Sequence, residues 1–194
     1  GGITIASNVA LFKPINRNDE LEINSIISAS NIIFKKLGFL FLIVGIIAAS
    51  IYSFIIIKSD VSLVTIFLIF VFTIISSSFN LSFVMKYRAL LQADNREYIL
   101  NFIQIVTLTV SQTLIIILIN YDISFLLIRL IIMITSFVNS IIIFIYIKRK
   151  YTFLNLKEQP SFDKIKGSKD LIVQKLTSVI YLSLPILLIS GTLG

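Results

Sequence analysis

The sequence predicts an all-α, polytopic membrane protein, and three observations carry that prediction. Hydrophobic residues make up 57% of the 194 residues and charged residues only 14%, against about 45–50% and about 25% in an ordinary soluble domain. Mean hydropathy is +0.98. Four uninterrupted apolar runs, residues 37–57, 61–84, 98–119 and 123–147, each reach the ~20 helical residues that cross a hydrocarbon core. Ile is abundant and favours strands in water. In lipid, however, an open strand leaves its backbone groups unsatisfied, so only helices or closed barrels span. The runs also lack the ten-residue alternation of barrel strands.

The elements follow in chain order. Residues 3–12 are apolar but too short to span, and are expected to be the tail of a helix begun upstream. The chain opens Gly1, Gly2, Ile3 and stops at Gly194 within an apolar run, which points to a fragment of a longer membrane protein. No basic segment followed by a small-residue cleavage site marks a signal peptide. Over residues 18–34, Leu21, Ile23, Ile26, Ile27, Ile32 and Ile33 stand among Asn, Ser and acids. This pattern predicts a surface helix leading into the first full span. Asn18 is its expected cap, with Asp19, Glu20 and Glu22 suiting the positive helix end. The first span, 37–57, carries Gly38, Gly45 and Ala49 on one face, a pattern for close helix packing.

Lys58, Ser59 and Asp60 turn the chain into the second span, 61–84. Residues 85–97 are read as a loop, followed by the third span, 98–119. Asn120, Tyr121 and Asp122 turn into the fourth, 123–147. The last loop, 148–175, is broken at Gln159, Pro160 and Ser161, and a basic amphipathic helix is expected over 165–175. A fifth apolar run, 176–194, contains Pro185, which should kink it.

Charge sets the expected orientation. The net charge is +7. Lys13, Arg17, Lys35 and Lys36 lie in the loop 13–36, Lys86, Arg88 and Arg96 in 85–97, and Lys148, Arg149, Lys150, Lys157, Lys164, Lys166, Lys169 and Lys175 in 148–175. The two short turns hold only Lys58. The three longer loops are therefore expected to face the cytoplasm and its anionic lipids, which accounts for the positive charge without a nucleic-acid partner.

The chain has no His and no Cys. That removes imidazole acid–base chemistry, His or Cys metal ligands, thiol nucleophiles and disulfides. The Ser and Thr residues have no base beside them, no Gly-rich phosphate loop is present, and the spans hold no acid pair for a metal. The expectation is a protein that is not an enzyme and carries no cofactor.

What the spans do hold is polar. Arg129 lies about six residues, or roughly 9 Å, inside its span, where a cation costs up to about 2.5–3.5 kcal/mol. No acid in the spans is available to pair with it. Either it faces a hydrated cavity and awaits an anion, or it snorkels to the nearer headgroups. At 100° per residue, Ser136 and Ser140 fall within about 20° of Arg129 and Asn139 flanks them. The third span aligns Asn101, Gln104, Ser111 and Gln112, and the second Thr73, Ser76, Ser77 and Asn80. Hydrogen bonding between helices, worth about 0.6 kcal/mol per pair, accounts for the Ser and Thr better than for the Gln, Asn and Arg. Three polar stripes predict helices around a hydrated path, with Arg129 as the anion site and Asn80, Gln104, Gln112, Ser136 and Asn139 as its walls.

Three stretches resemble a known family. The first is Phe12, Lys13, Pro14 and Ile15 with Asn18 and Asp19, then Ile23, Asn24, Ser25, Ile26, Ile27 and Ser28. The second is Leu90, Leu91, Gln92, Ala93, Asp94, Asn95, Arg96, Glu97 and Tyr98. The third is Tyr146, Ile147, Lys148, Arg149, Lys150 and Tyr151, ahead of a basic linker. In this order they resemble the Wzx-type polysaccharide flippases of the multidrug/oligosaccharidyl-lipid/polysaccharide exporter superfamily, which commonly have Tyr where this chain has Phe12. The second stretch is the most specific, and the resemblance covers essentially the whole chain.

It implies a MATE-like helical bundle, with two six-helix lobes facing a central cavity. Residues 1–147 would belong to the N-terminal lobe, 148–175 would be the inter-lobe linker, and 176–194 would start the C-terminal lobe. The implied activity is alternating-access transport of an oligosaccharide repeat unit on undecaprenyl pyrophosphate across the bacterial plasma membrane, for O-antigen or capsule synthesis. Implied partners are membrane lipids, a polysaccharide polymerase and a chain-length regulator. A multidrug cation antiporter of the same superfamily is the first rival, although it would want an intramembrane acid. A membrane-embedded glycan polymerase or acyltransferase is the second, although its outward loops should be longer than the three-residue turns here.

Overall fold

In the computed structural model, which describes residues 2–55, 62–121 and 123–165, the regular elements are all helical. They are α1 (Gly2–Arg17), α2 (Glu20–Ile55), α3 (Leu63–Phe83), α4 (Met85–Ala93), α5 (Glu97–Ile119), α6 (Phe125–Lys150) and a short 3-10 turn, Phe162–Ile165. Within α2, α3, α5 and α6, four segments are long and apolar enough to cross a membrane. The protein is an all-α polytopic membrane protein. The predicted turn at 58–60, the fifth run 176–194 with Pro185, and the amphipathic helix 165–175 beyond Ile165 lie outside the described residues.

The helix read over 18–34 does lead into the first span, but its apolar face meets protein. No Gly or Pro interrupts residues 20–37, so the segment runs unbroken into the first span as one helix of 36 residues, about 54 Å long. That exceeds a hydrocarbon core of about 30 Å, and the exposed Lys35 and Lys36 mark where the helix leaves its more polar half. Ile23, Ile26 and Ile27 are buried, so this face is covered by protein rather than by headgroups. The predicted cap is also corrected. Asp19 Oδ1 accepts from Glu22 N at 3.0 Å, while Asn18 takes the left-handed conformation (φ 53°) that closes α1. Asn tolerates that region better than most side chains because its short amide bonds locally. Its N–H, and that of Asp19, satisfy the carbonyls of Ile15 and Pro14.

The loop read over 85–97 is corrected too, because it contains α4. Helix α4 follows α3 after the single residue Val84, and Tyr87, Leu90 and Leu91 bury its inner face. Their spacing of three and four residues is the helical signature.

These pieces make two regions of different character. At the basic ends of the spans, α1, the first half of α2, α4 and the ends of α5 and α6 enclose one apolar core around Leu11, Ile26, Ile27, Leu90, Leu91, Leu100 and Ile147. Burying such a side chain is worth about 1.5–3 kcal/mol each. Segment 151–165 is laced onto α2. Asn24 donates to Phe153 O at 3.0 Å and accepts from Asn155 N at 2.9 Å. Ser28 donates to Leu156 O, Ser25 O accepts from Ser161 N, and Lys164 pairs with Glu22. This accounts for the buried Asn24 and Ser28 of α2, since each must find a partner away from water.

In the spans, by contrast, Phe39, Leu40, Val44, Phe102, Ile105 and Ile116 stand exposed, the apolar outer surface that lipid requires. Helix α2 meets α3 through the predicted small-residue face. A Cβ on Gly38 would strike Ser82 Oγ and stand 2.9 Å from Ser78 O, and one on Gly45 would stand 2.7 Å from Ile74. Ser78 Oγ uses this closeness to donate to Gly38 O at 2.8 Å.

Candidate functional site

Helix α6 packs against both α3 and α5, and the polar stripes of the three helices meet there. A cleft of about 150 Å³ is lined by Asn80 of α3, Gln104, Thr107, Leu108, Ser111 and Gln112 of α5, and Ile132, Thr135, Ser136 and Asn139 of α6. Five of the six residues singled out from sequence, Asn80, Gln104, Gln112, Ser136 and Asn139, are thus brought together. Gln104 and Gln112 each lie seven residues from an end of α5, about 10 Å in from either side at 1.5 Å per residue. The cleft therefore occupies the interior of the span.

Asn80 and Ser136 also border a second cleft of about 400 Å³, with Ser76, Ser77, Phe41, Leu81 and Met85. The two clefts form one polar track along α3 and α6, with a volume in the range of small-ligand sites.

Hydrogen bonding inside the track is partial. Thr107 Oγ1 lies 3.2 Å from Asn139 Oδ1, a link between helices of the kind that holds bundles together in lipid. Most other hydroxyls satisfy their own helix: Thr73 donates to Ile69 O, Ser76 to Thr73 O, Thr135 to Ile131 O and Ser140 to Ser136 O. Thr73 is exposed and lines neither cleft. Gln104 and Gln112 are exposed on the open face of α5.

Arg129 is not part of the lining. It is half-buried, its guanidinium lies 5.2 Å from the ring centroid of Phe125, and its Nε has no hydrogen-bond partner among the described residues. The side chain follows the helical rule of leaning toward the N-terminus, so it sits a turn beyond the cleft, near the end of α6 remote from Lys148, Arg149 and Lys150. Among the described residues no group of acids is placed to hold a metal.

No family model, curated protein or solved structure matches the chain.

Three features escaped the sequence reading. Thr107 and Thr135 line the cleft, and both were legible: Thr107 is three residues after Gln104 and four before Ser111, and Thr135 is four before Asn139. The second feature is a charged corner where the three family-like stretches converge. Asp94 Oδ2 accepts from Tyr151 Oη at 2.6 Å and pairs with Arg96 Nε at 2.8 Å. Burial, then this hydrogen bond to Asp94, push the Tyr151 phenol far above its ordinary range.

The third feature is Lys86 on α4, only 2% exposed. Its Nζ donates to Asn31 Oδ1 at 2.7 Å and lies 4.9 Å from the rings of both Phe83 and Tyr87. Burial, reinforced by the positive charge of Lys35, pushes this ammonium down to about 8.

Proposed function

We propose that the chain is part of a transporter that flips an oligosaccharide repeat unit, carried on undecaprenyl pyrophosphate, from the inner to the outer leaflet of the bacterial plasma membrane. The observation that carries this reading is the polar track inside the span region, where Asn80, Gln104, Gln112, Ser136 and Asn139 line one cleft between three membrane helices. Amide and hydroxyl walls suit sugar hydroxyls, which both donate and accept. A lipid tail can stay in the bilayer while the headgroup follows the track. The basic loops support a cytoplasmic α4 side through the positive-inside rule. The resemblance of residues 12–28, 90–98 and 146–151 to the Wzx-type flippases supports the same reading.

In this mechanism the described helices supply one wall of the path. Arg129, unpaired at Nε and a turn past the cleft, is the cation that meets the pyrophosphate as it arrives near the outer leaflet. Its fork suits phosphate better than a lysine would, and the low-dielectric surroundings strengthen the attraction. The test is depletion of the protein in its host. Lipid-linked oligosaccharide should accumulate in the cytoplasmic leaflet while surface polysaccharide is lost. Unchanged lipid-linked sugar, with increased sensitivity to cationic drugs, would replace this reading with the antiporter.

A further inference from the structure

We infer that the corner pocket at the basic ends of the spans binds the phosphodiester headgroup of an anionic membrane phospholipid, as a site separate from the transport track. The pocket, about 270 Å³, is built by Ile15 and Asn18 at the end of α1, Ile23 of α2, Leu90, Asp94 and Arg96 around the α4–α5 turn, and Lys150, Tyr151 and Phe153.

Its charge favours a single negative ligand. Arg96 and Lys150 bring two positive charges from different elements. Asp94 brings one negative charge, but its Oδ2 is already taken by Tyr151 and Arg96. Lys150 makes no ion pair among the described residues and is exposed. The net excess is one cation, which matches a phosphodiester.

The carboxyl ends of α1, α4 and α6 meet here and oppose an anion, while α5 presents its positive end from Glu97, so the attraction rests on the Arg96 and Lys150 side chains. Depth fixes the source of the phosphate. The pocket lies beside the last turn of α6, where Lys148, Arg149 and Lys150 close an apolar span, the level of lipid headgroups. Basic pockets between membrane helices at this level hold anionic headgroups. The half-buried Ile15 and Phe153 give the pocket an apolar side against which the glycerol and the start of the acyl chains can lie.

The test is lipid retention by the whole protein taken from bicelles of mixed phosphatidylglycerol and phosphatidylcholine, read by native mass spectrometry. Phosphatidylglycerol should be retained in preference. Lys150→Gln should cut that preference about fivefold, the weight of one cation at an anionic surface. Lys150→Arg should keep it, and Lys157→Gln, in the loop beyond the pocket, should leave it unchanged. Excess soluble glycerol phosphate should not displace the lipid. Equal losses in the Lys150→Gln and Lys157→Gln variants would show diffuse attraction and overturn the site. Displacement by glycerol phosphate would assign the pocket to a free phosphate ester and overturn the lipid.

Discussion

Lys86 makes the stability of the protein depend on pH in a direction that can be worked out. Its ammonium is buried with a neutral amide and two rings for company and titrates near 8 instead of 10.5. At about 1.36 kcal/mol per unit, the folded state bears roughly 3 kcal/mol for keeping this group charged. Below pH 8 both folded and unfolded chains hold the proton, and the whole cost is present. Between 8 and 10.5 the unfolded chain still holds it while the folded chain has released it, so stability rises with pH.

From pH 7.5 to 9.5 the rise should be about 2 kcal/mol, or roughly 4–8 °C in Tm for a chain of this size. The window stops at 9.5 because Tyr87 and Tyr151 are held above their ordinary value, and their effect has the opposite sign once unfolded tyrosines ionise. Lys86→Met keeps the length of the side chain and removes the charge. It leaves the Asn31 carbonyl unpaired at about 1–3 kcal/mol, so its stability at pH 7 stays near wild type, while its Tm should be flat across the window. Thermal unfolding in detergent at four or five pH values decides the matter. An equal slope in wild type and Lys86→Met would refute the assignment.

Three further outcomes are expected. Gly38→Ala forces a methyl toward Ser82 Oγ and the Ser78 carbonyl, and should destabilise the α2–α3 contact by about 1–3 kcal/mol, read as a lowered Tm. Asn24→Ala removes both bonds to segment 151–165, so trypsin should cut at Lys157 several times faster; an unchanged rate would show that the other links hold the segment alone. Asn139→Leu should lower transport about tenfold through loss of one or two polar contacts, with helical content by circular dichroism unchanged.

The spans were legible because hydropathy over twenty residues leaves few alternatives, and the ends of α3 and α5 match expectation within two residues. Each polar stripe was legible as well, because a 100° repeat places Ser136, Asn139 and Ser140 on one side of α6. Amphipathic periodicity does not say what the apolar face meets. Ile23, Ile26 and Ile27 would suit a headgroup layer, yet α1 and α4 cover them. Helix α4 was hidden by its low hydropathy, although Tyr87, Leu90 and Leu91 carried its period. Arg129 shows a subtler limit. Its Cα lies in line with the cleft residue Ser136, but its long side chain leans back a turn to Phe125, beyond the reach of a helical wheel.

The central claim is that the track along α3, α5 and α6 holds water and polar headgroups rather than packed side chains. The chain contains no Cys, so single cysteines can be placed at Asn80, Gln112 and Asn139 and, for comparison, at the exposed apolar positions Phe102, Ile116 and Val138. Labelling in intact membranes with a charged thiol reagent should modify the first three and leave the last three unmodified. Protection of all six, or equal labelling of both sets, would contradict a hydrated path.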